Sequence, residues 1–249
     1  MRRCLALGVL LSLLAVPVRG AEPPRVRGID FLPLLAVPVR GAEGQPYAAL
    51  TFDDGPSGKY TQRLLDGLAY RGVACTFLLC GYRMEQYPEL TQRIYQEGHE
   101  IGYHGFSHDS MKTMSRRRIG QELMDSQALL PQGCRPVFFR PPGGVVTDGV
   151  HQVAKARNLA LLSWSVDPRD WATQDRQAVK QAVLDQVQDG DIILLHDMSA
   201  SSVDAALDIV DVLQSRGFQL VTVSQLAKLR KTPVTPGEIY TRFPPPEDN

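Results

Sequence analysis

The sequence predicts an α/β protein, an irregular (β/α)7-type barrel, on three observations. Short apolar runs rich in β-branched or aromatic residues alternate seven times with amphipathic stretches. The connections are short, which implies parallel strands joined by right-handed crossovers. No glycine-rich phosphate loop follows the first run, which disfavours a doubly wound dinucleotide fold and leaves the barrel.

The first strand is Tyr47 to Phe52, followed by a helix whose Tyr60, Leu64, Leu65 and Leu68 share one face before Gly72 ends it. Val73 to Leu79 forms the second strand. Pro88 opens the next helix, Leu90, Ile94 and Tyr95 give its apolar face, and Gly98 closes it. Strand three is Glu100 to Tyr103, with a helix over Ser115 to Leu130; strand four is Val137 to Phe139, with a helix over Gly149 to Ala156. Leu159 to Val166, Asp191 to Leu195 and Phe218 to Val223 complete the strands, each followed by a helix, over Gln174 to Val187, Val203 to Arg216 and Ser224 to Arg230. A chain of 249 residues, 43% of them hydrophobic, can fill one good-sized core, and one barrel is expected over residues 47–231. Residues 232–249, with Pro233, Pro236 and Pro244 to Pro246, read as a polar, partly disordered Pro-rich tail.

Lys and Arg total 27 and Asp and Glu total 27, so no net field draws the chain to nucleic acid or an anionic membrane surface. Met1-Arg2-Arg3-Cys4, the apolar run Leu5 to Val18 and the small residues near Gly20 form a signal-peptide pattern over residues 1–20. That run is short of the roughly 20 residues a spanning helix needs, which favours a cleaved signal over a retained signal anchor; no stable membrane span is expected once the signal is removed, and export to the cell envelope or beyond is expected. Residues 21–46 are a linker in which LLAVPVRGAE, first seen at Leu13 to Glu22, recurs at Leu34 to Glu43, too short and Pro-interrupted for a structural repeat. Removing Cys4 leaves Cys75, Cys80 and Cys134, an odd number that argues against a disulfide framework; buried thiols are expected.

Chemically capable residues collect at the carboxyl ends of the strands. Asp53 and Asp54 follow strand one, His104 and His108 follow strand three, and Arg140 ends strand four. Asp167 and Asp170 follow strand five, and His196 and Asp197 follow strand six. In α/β barrels the βα loops converge on that face, so five distant stretches meet around one cavity. Two imidazoles four residues apart, with a carboxylate from Asp53 or Asp54, give three protein ligands and leave a position open, the pattern of a catalytic rather than a structural metal site. Each pattern alone is weak: Asp-Asp-Gly also reads as a turn, and His196 leaves an apolar run where a core histidine would fit. An imidazole beside Asp170 or Asp167 has the makings of a tuned acid, and a guanidinium at a barrel mouth can hold a carboxylate ionised.

Five segments, TFDDGPS at Thr51 to Ser57, HGFSH at His104 to His108, RPPGG at Arg140 to Gly144, DPRDW at Asp167 to Trp171 and LLHD ending at Asp197, resemble in order the motifs of the polysaccharide deacetylases, the NodB-homology or carbohydrate esterase family 4 group. The resemblance spans roughly Tyr47 to Leu229. It implies that Asp53 is the catalytic base, that Asp54, His104 and His108 hold a divalent metal, and that Arg140 positions the base. His196 resembles the general acid with Asp170 as its partner. Gly143, Trp171 and Leu195 fall on the substrate side, the Gly143 N–H toward the oxyanion. The implied cofactor is zinc, with cobalt or nickel as alternatives, and the implied activity is removal of N-acetyl groups from a glycan, peptidoglycan or chitin-like. An amidohydrolase or O-acetyl esterase on the same fold, or a non-catalytic glycan-binding domain, would share the fold.

Two positions depart from the family pattern. Gly105 stands where a Ser or Thr hydroxyl usually supports the metal loop, and Gly143 stands where an aromatic is usual, which widens the substrate subsite. The export reading is checked by N-terminal sequencing of the secreted protein: a start near Ala21 is expected, and a start at Met1 contradicts it.

Overall fold

The computed structural model describes residues 44–246, so the signal, the duplicated segment and the last three residues lie outside the described residues. The strands are β1 (Tyr47–Asp53), β2 (Thr76–Leu79), β3 (Glu100–Tyr103), β4 (Phe138–Phe139), β5 (Ala160–Leu162), β6 (Asp191–His196), β7 (Gln219–Leu220) and β8 (Ile239–Tyr240). They form one sheet ordered β6-β1-β2-β3-β4-β5-β8, with β7 against the start of β1, and every pairing between named strands is parallel. The helices are α1 (Gly58–Arg71), α2 (Gly81–Gln86), α3 (Pro88–Gln96), α4 (Arg116–Gln127), α5 (Asp148–Ala156), α6 (Arg176–Leu184), α7 (Ala200–Ser215) and α8 (Val223–Leu229). The predicted barrel is therefore present as a curled parallel sheet wrapped by helices.

Capping explains where most helices begin. The side chains of Ser115, Thr147, Asp175 and Ser199 each accept a backbone N–H in the first turn of α4, α5, α6 and α7, and Thr222 and Gln225 form a capping box on α8. Gly72, in the left-handed region, closes α1. The sequence signals missed α2, a short helix that fills the β2 to α3 connection.

Strand periodicity separates two cores. In β1, Ala48, Leu50 and Phe52 face outward with Leu64, Leu68 and α7 residues such as Ile209, whereas Tyr47 and Ala49 face inward with Leu78, Phe138, Leu162 and Ile192. Burial on both faces is why the parallel strands read as continuous apolar runs.

Two expectations are corrected. Strand five was expected to run from Leu159 to Val166, but β5 stops at Leu162, and Val166 makes only an isolated parallel bridge to Ile193. The intervening carbonyls are diverted, since those of Leu162 and Ser163 accept hydrogen bonds from Arg140. The residues after Thr232, read as a polar tail, instead supply β8, which pairs with β5. Phe243 is 1% exposed, stacks on Tyr240 at 5.1 Å, and donates its N–H to the Gly190 carbonyl at 2.8 Å. Gly190, at φ 88°, must be glycine because a Cβ there would lie 2.0 Å from the Phe243 carbonyl oxygen. Cys75, Cys80 and Cys134 are free thiols, the first two buried as expected and Cys134 only partly buried.

Because Phe243 closes the inner core, Phe243→Ala is expected to cost about 3 kcal/mol of stability. A urea unfolding midpoint unchanged by that substitution would mean that the tail is dispensable to the fold.

Candidate active site

The inward register of the strands carries the site. Asp53 continues the inward series Ala49 and Thr51, and Arg140 follows inward Phe138 by two residues. His196 follows inward Ile192 and Leu194. Asp53 and His196 line the mouth of a cleft of about 320 Å³, with Asp54, His104, His108, Gly143, Gly144, Trp164, Asp167, Trp171 and Leu194, and Arg140 lies buried behind Asp53.

Asp53 and Arg140 form a buried pair. Arg140 Nη1 donates to Asp53 Oδ1 at 2.6 Å and to Thr51 Oγ1 at 2.9 Å, and its Nη2 donates to the Ser163 carbonyl at 2.8 Å. Its Nε donates to the Leu162 carbonyl at 3.3 Å, and Cζ lies 5.5 Å from the Trp164 ring centre, so the guanidinium is held along its edge and covered on its face. Only Asp53 Oδ2 is left toward the cleft, 3.8 Å from His104 Nε2.

Asp54, the next residue, has a left-handed backbone at φ 70° and turns its carboxylate toward the histidines. Its Oδ1 lies 3.2 Å from His104 Nε2 and 2.9 Å from His108 Nε2. One ligand atom from each of these three residues lies within 4.8 Å of the others. His104 Nδ1 lies 2.7 Å from the Arg140 carbonyl oxygen, which can only accept, so Nδ1 carries the proton and a neutral His104 presents a bare Nε2 lone pair to Asp54. Asp54 Oδ1 is buried without a hydrogen-bond partner. Converging electron-pair donors around an orphaned carboxylate oxygen fit a cation, and a two-histidine, one-carboxylate set fits zinc. Burial opposes the charge on Asp54, but without a metal His104 and His108, when they carry a proton on Nε2, overrule it and hold the carboxyl well below the usual carboxylate range. Contact with Asp54 correspondingly raises the His108 pKa.

His196 stands on the other side of the cleft, with Nε2 4.0 Å from Asp54 Oδ2. Asp170 both accepts the His196 backbone N–H and meets Nδ1, each at 2.8 Å. Burial disfavours the imidazolium, yet Asp170 together with the charges of Asp53 and Asp54 raises the pKa to about 9. Asp167, the other candidate partner, instead accepts the Arg169 N–H.

The substrate-side residues are placed unevenly. Trp171 is 59% exposed at the rim with Arg169 over its ring at 5.2 Å, and Gly143 lines the cleft at φ 65°. Leu195 does not line the cleft: it is fully buried in the outer core, and Leu194 takes the inward position. The alternation of β6 that aims His196 inward necessarily aims Leu195 outward.

Sequence reasoning missed four supports. Thr51 shares the Asp53 parity and could have been found from it. Trp164 lay inside the misread strand five. Asp197, noted without a role, is fully buried, accepts the Thr61 hydroxyl, and takes the Ser57 hydroxyl on its carbonyl at 2.5 Å, which anchors the turn after Asp54; burial raises its pKa to about 6. Glu122 is a carboxylate on the buried stripe of α4 that includes Ile119, Leu123 and Ser126, a charge out of place in an apolar pattern.

A barrel mouth that joins a histidine–carboxylate donor set to a separate carboxylate and a carboxylate-held imidazole holds the kinds of group that metal-assisted hydrolysis uses. The family model for polysaccharide deacetylases matches residues 40–162. Peptidoglycan-N-acetylmuramic acid deacetylase PdaC of Bacillus subtilis is 40% identical over 190 residues, 75% of this chain but 40% of that protein. A peptidoglycan-N-acetylglucosamine deacetylase of Bacillus cereus is 35% identical over 73% of this chain and 88% of its own. The chain thus spans less than half of PdaC and most of the Bacillus cereus enzyme. Among solved structures, a family 4 acetyl xylan esterase from Clostridium thermocellum, in complex with a cobalt ion, superposes with a TM-score of 0.74 at 34% identity, over 80% of this chain and 99% of that one. The chain belongs to the polysaccharide deacetylase family.

The His196 pKa gives a titration test on metal-free protein. Because it lies above the ordinary 6.5, the Asp170 pair stabilises the fold fully below pH 6.5 and loses that contribution as pH rises through about 9. Asp170→Asn should move the His196 midpoint, followed by NMR, at least about one unit lower; an unmoved midpoint would dissociate Asp170 from His196.

Proposed function

We propose that this chain is an exported, zinc-dependent hydrolase that removes acetyl groups from the amines of an N-acetylated glycan, peptidoglycan or a chitin-like oligosaccharide. The observation that carries this reading is the convergence of Asp54, His104 and His108 donor atoms within 4.8 Å, flanked by Asp53 and His196. Family membership and the peptidoglycan deacetylases among the relatives support the substrate class. Among the described residues no helix is long and apolar enough to cross a membrane, and the export reading rests on the pattern over residues 1–20.

Asp54, His104 and His108 would hold the metal, which when bound supplies the Lewis acidity that polarises the acetyl carbonyl and acidifies a water molecule. Asp53 takes the proton of the attacking water at Oδ2, because Arg140 occupies Oδ1 and aims the carboxylate. The Gly143 N–H donates to the acetyl oxygen as negative charge develops on it. Protonated His196 gives its Nε2 proton to the departing amine, while Asp170 holds Nδ1 and stabilises the imidazolium. Acetate and a free glycan amine are the products. Trp171 at the rim offers an exposed ring face to a neighbouring sugar.

A second reading, hydrolysis of an O-acetyl ester, is favoured by the similarity to an acetyl xylan esterase, since the same base and acid serve either bond. A non-catalytic glycan-binding role is disfavoured because the donor set and the acid–base set are both intact.

The test is acetate release from N-acetylglucosamine oligomers, purified peptidoglycan and O-acetylated xylan, before chelation, after it, and after zinc return. Release from an N-acetylated glycan that chelation abolishes and zinc restores is expected. Release from acetylated xylan alone would select the esterase, and glycan binding without any release would contradict catalysis.

A further inference from the structure

The segment from His104 to His108 supplies two of the three donor side chains, yet its conformation is one that few sequences hold unaided. Gly105 has φ 82°, and His108, a non-glycine residue, has φ 63°. His104 is secured by the hydrogen bond from its Nδ1 to the Arg140 carbonyl. His108 has no comparable anchor: its side chain is 41% exposed, lies beside the His104 ring at 5.2 Å, and among the described residues its ion-pair partner is Asp54. Something must fix the backbone that carries it.

Glu122 meets that need from the neighbouring helix α4. Its side chain is 1% exposed, and its Oε2 accepts the backbone N–H groups of Phe106 and Ser107 at 2.7 Å each, together with the Ser107 hydroxyl at 3.1 Å. Its other oxygen faces Arg118 Nη2 at 2.6 Å. The loop's carbonyls are held as well, by α2 and by Ser126 of α4. The Gly105 carbonyl accepts from Gly81 N at 2.9 Å and Ser126 Oγ at 3.0 Å, and the Phe106 carbonyl accepts from Tyr82 N at 3.0 Å. The loop is thus clamped at residues 105–107, with one buried charge taking the amide side.

Such an arrangement has an energetic reason. A buried carboxylate is costly unless charge-assisted hydrogen bonds compensate it, and two adjacent amides plus a hydroxyl do so while immobilising the peptides they belong to. A Cβ at Gly105 would lie 3.0 Å from Met111 Cε and 3.6 Å from Oε2 of the same carboxylate. With glycine there the loop brings no side chain of its own at residue 105, and the anchoring falls to Glu122.

We propose that Glu122 is the positioning residue of the metal loop: by holding the Phe106 and Ser107 amides it sets where His108 stands, and hence the affinity of the Asp54, His104 and His108 set for a divalent cation. The proposal rests on the metal-dependent reading above, and its test separates the two. Groups that orient ligands in this way alter metal affinity by roughly 10- to 100-fold.

Zinc affinity is measured by calorimetric titration of the full chain, with turnover read against zinc concentration. Glu122→Ala is expected to weaken zinc binding at least about tenfold, with lost turnover recovered at saturating zinc. Glu122→Gln, whose amide oxygen can still accept both N–H groups, should stay within about threefold of the parent, whereas a merely structural loss would resist added zinc. Hydrogen exchange of the Phe106 and Ser107 amides in the unsubstituted, metal-free protein gives a reading independent of how the variants fold. Protected amides support the clamp; exchange as fast as in exposed loops overturns it. Equal zinc affinity in the parent and Glu122→Ala also overturns the proposal, while a parent that binds no zinc overturns the functional reading with it.

Discussion

The buried ion pair between Arg140 and Asp53 is the constraint around which the site is built. Arg140 is fully buried, and a guanidinium removed from water is tolerable only when its charge and its donors are answered. Asp53 answers the charge; Thr51 and the Leu162 and Ser163 carbonyls answer the donors. One side chain therefore ties the end of β1 to the end of β5 from the end of β4. Truncating either side chain leaves the other charge with neither counter-charge nor hydrogen bond in the core, a defect of about 3–5 kcal/mol, so the orientation of Asp53 is part of the fold rather than an addition to it.

That pair also separates two neighbouring carboxylates. Asp53 sits at the end of a regular strand, facing inward and clamped on one oxygen. Asp54, one residue on, leaves the strand through a left-handed turn and faces two imidazoles. Adjacent residues of one strand point to opposite faces, so both can reach one cleft only if the backbone turns between them. Their surroundings differ, with arginine beside the one that accepts a proton in the proposed mechanism and histidines beside the one that would hold the cation.

Much of this was legible in the sequence because barrel chemistry gathers at strand ends, where short motifs mark both the end of a strand and the residue that does the work. Asp53, Asp54, His104, His108, Arg140 and His196 meet as their positions imply. What escaped depended on tertiary context. The break in strand five follows from carbonyls recruited by Arg140, which no local propensity encodes. Residues 239–240 hold too little pattern to reveal β8 without its partner β5, so a proline-rich stretch read as a tail. Leu195 was assigned by its motif, but strand parity sends Leu194 inward instead. Glu122 left a signal, a charge on an apolar helical stripe, although its target loop becomes visible only once the chain is folded.

The central claim, that Asp54 holds the cation while Asp53 moves the proton, is tested most directly by Asp53→Asn, with zinc affinity and acetate turnover measured on the same preparation. The amide still reaches Arg140 through its oxygen but is no longer basic, so zinc affinity should stay near that of the parent while turnover falls by about 10² or more. Near-normal turnover, or loss of zinc binding in step with activity, would contradict this division of roles.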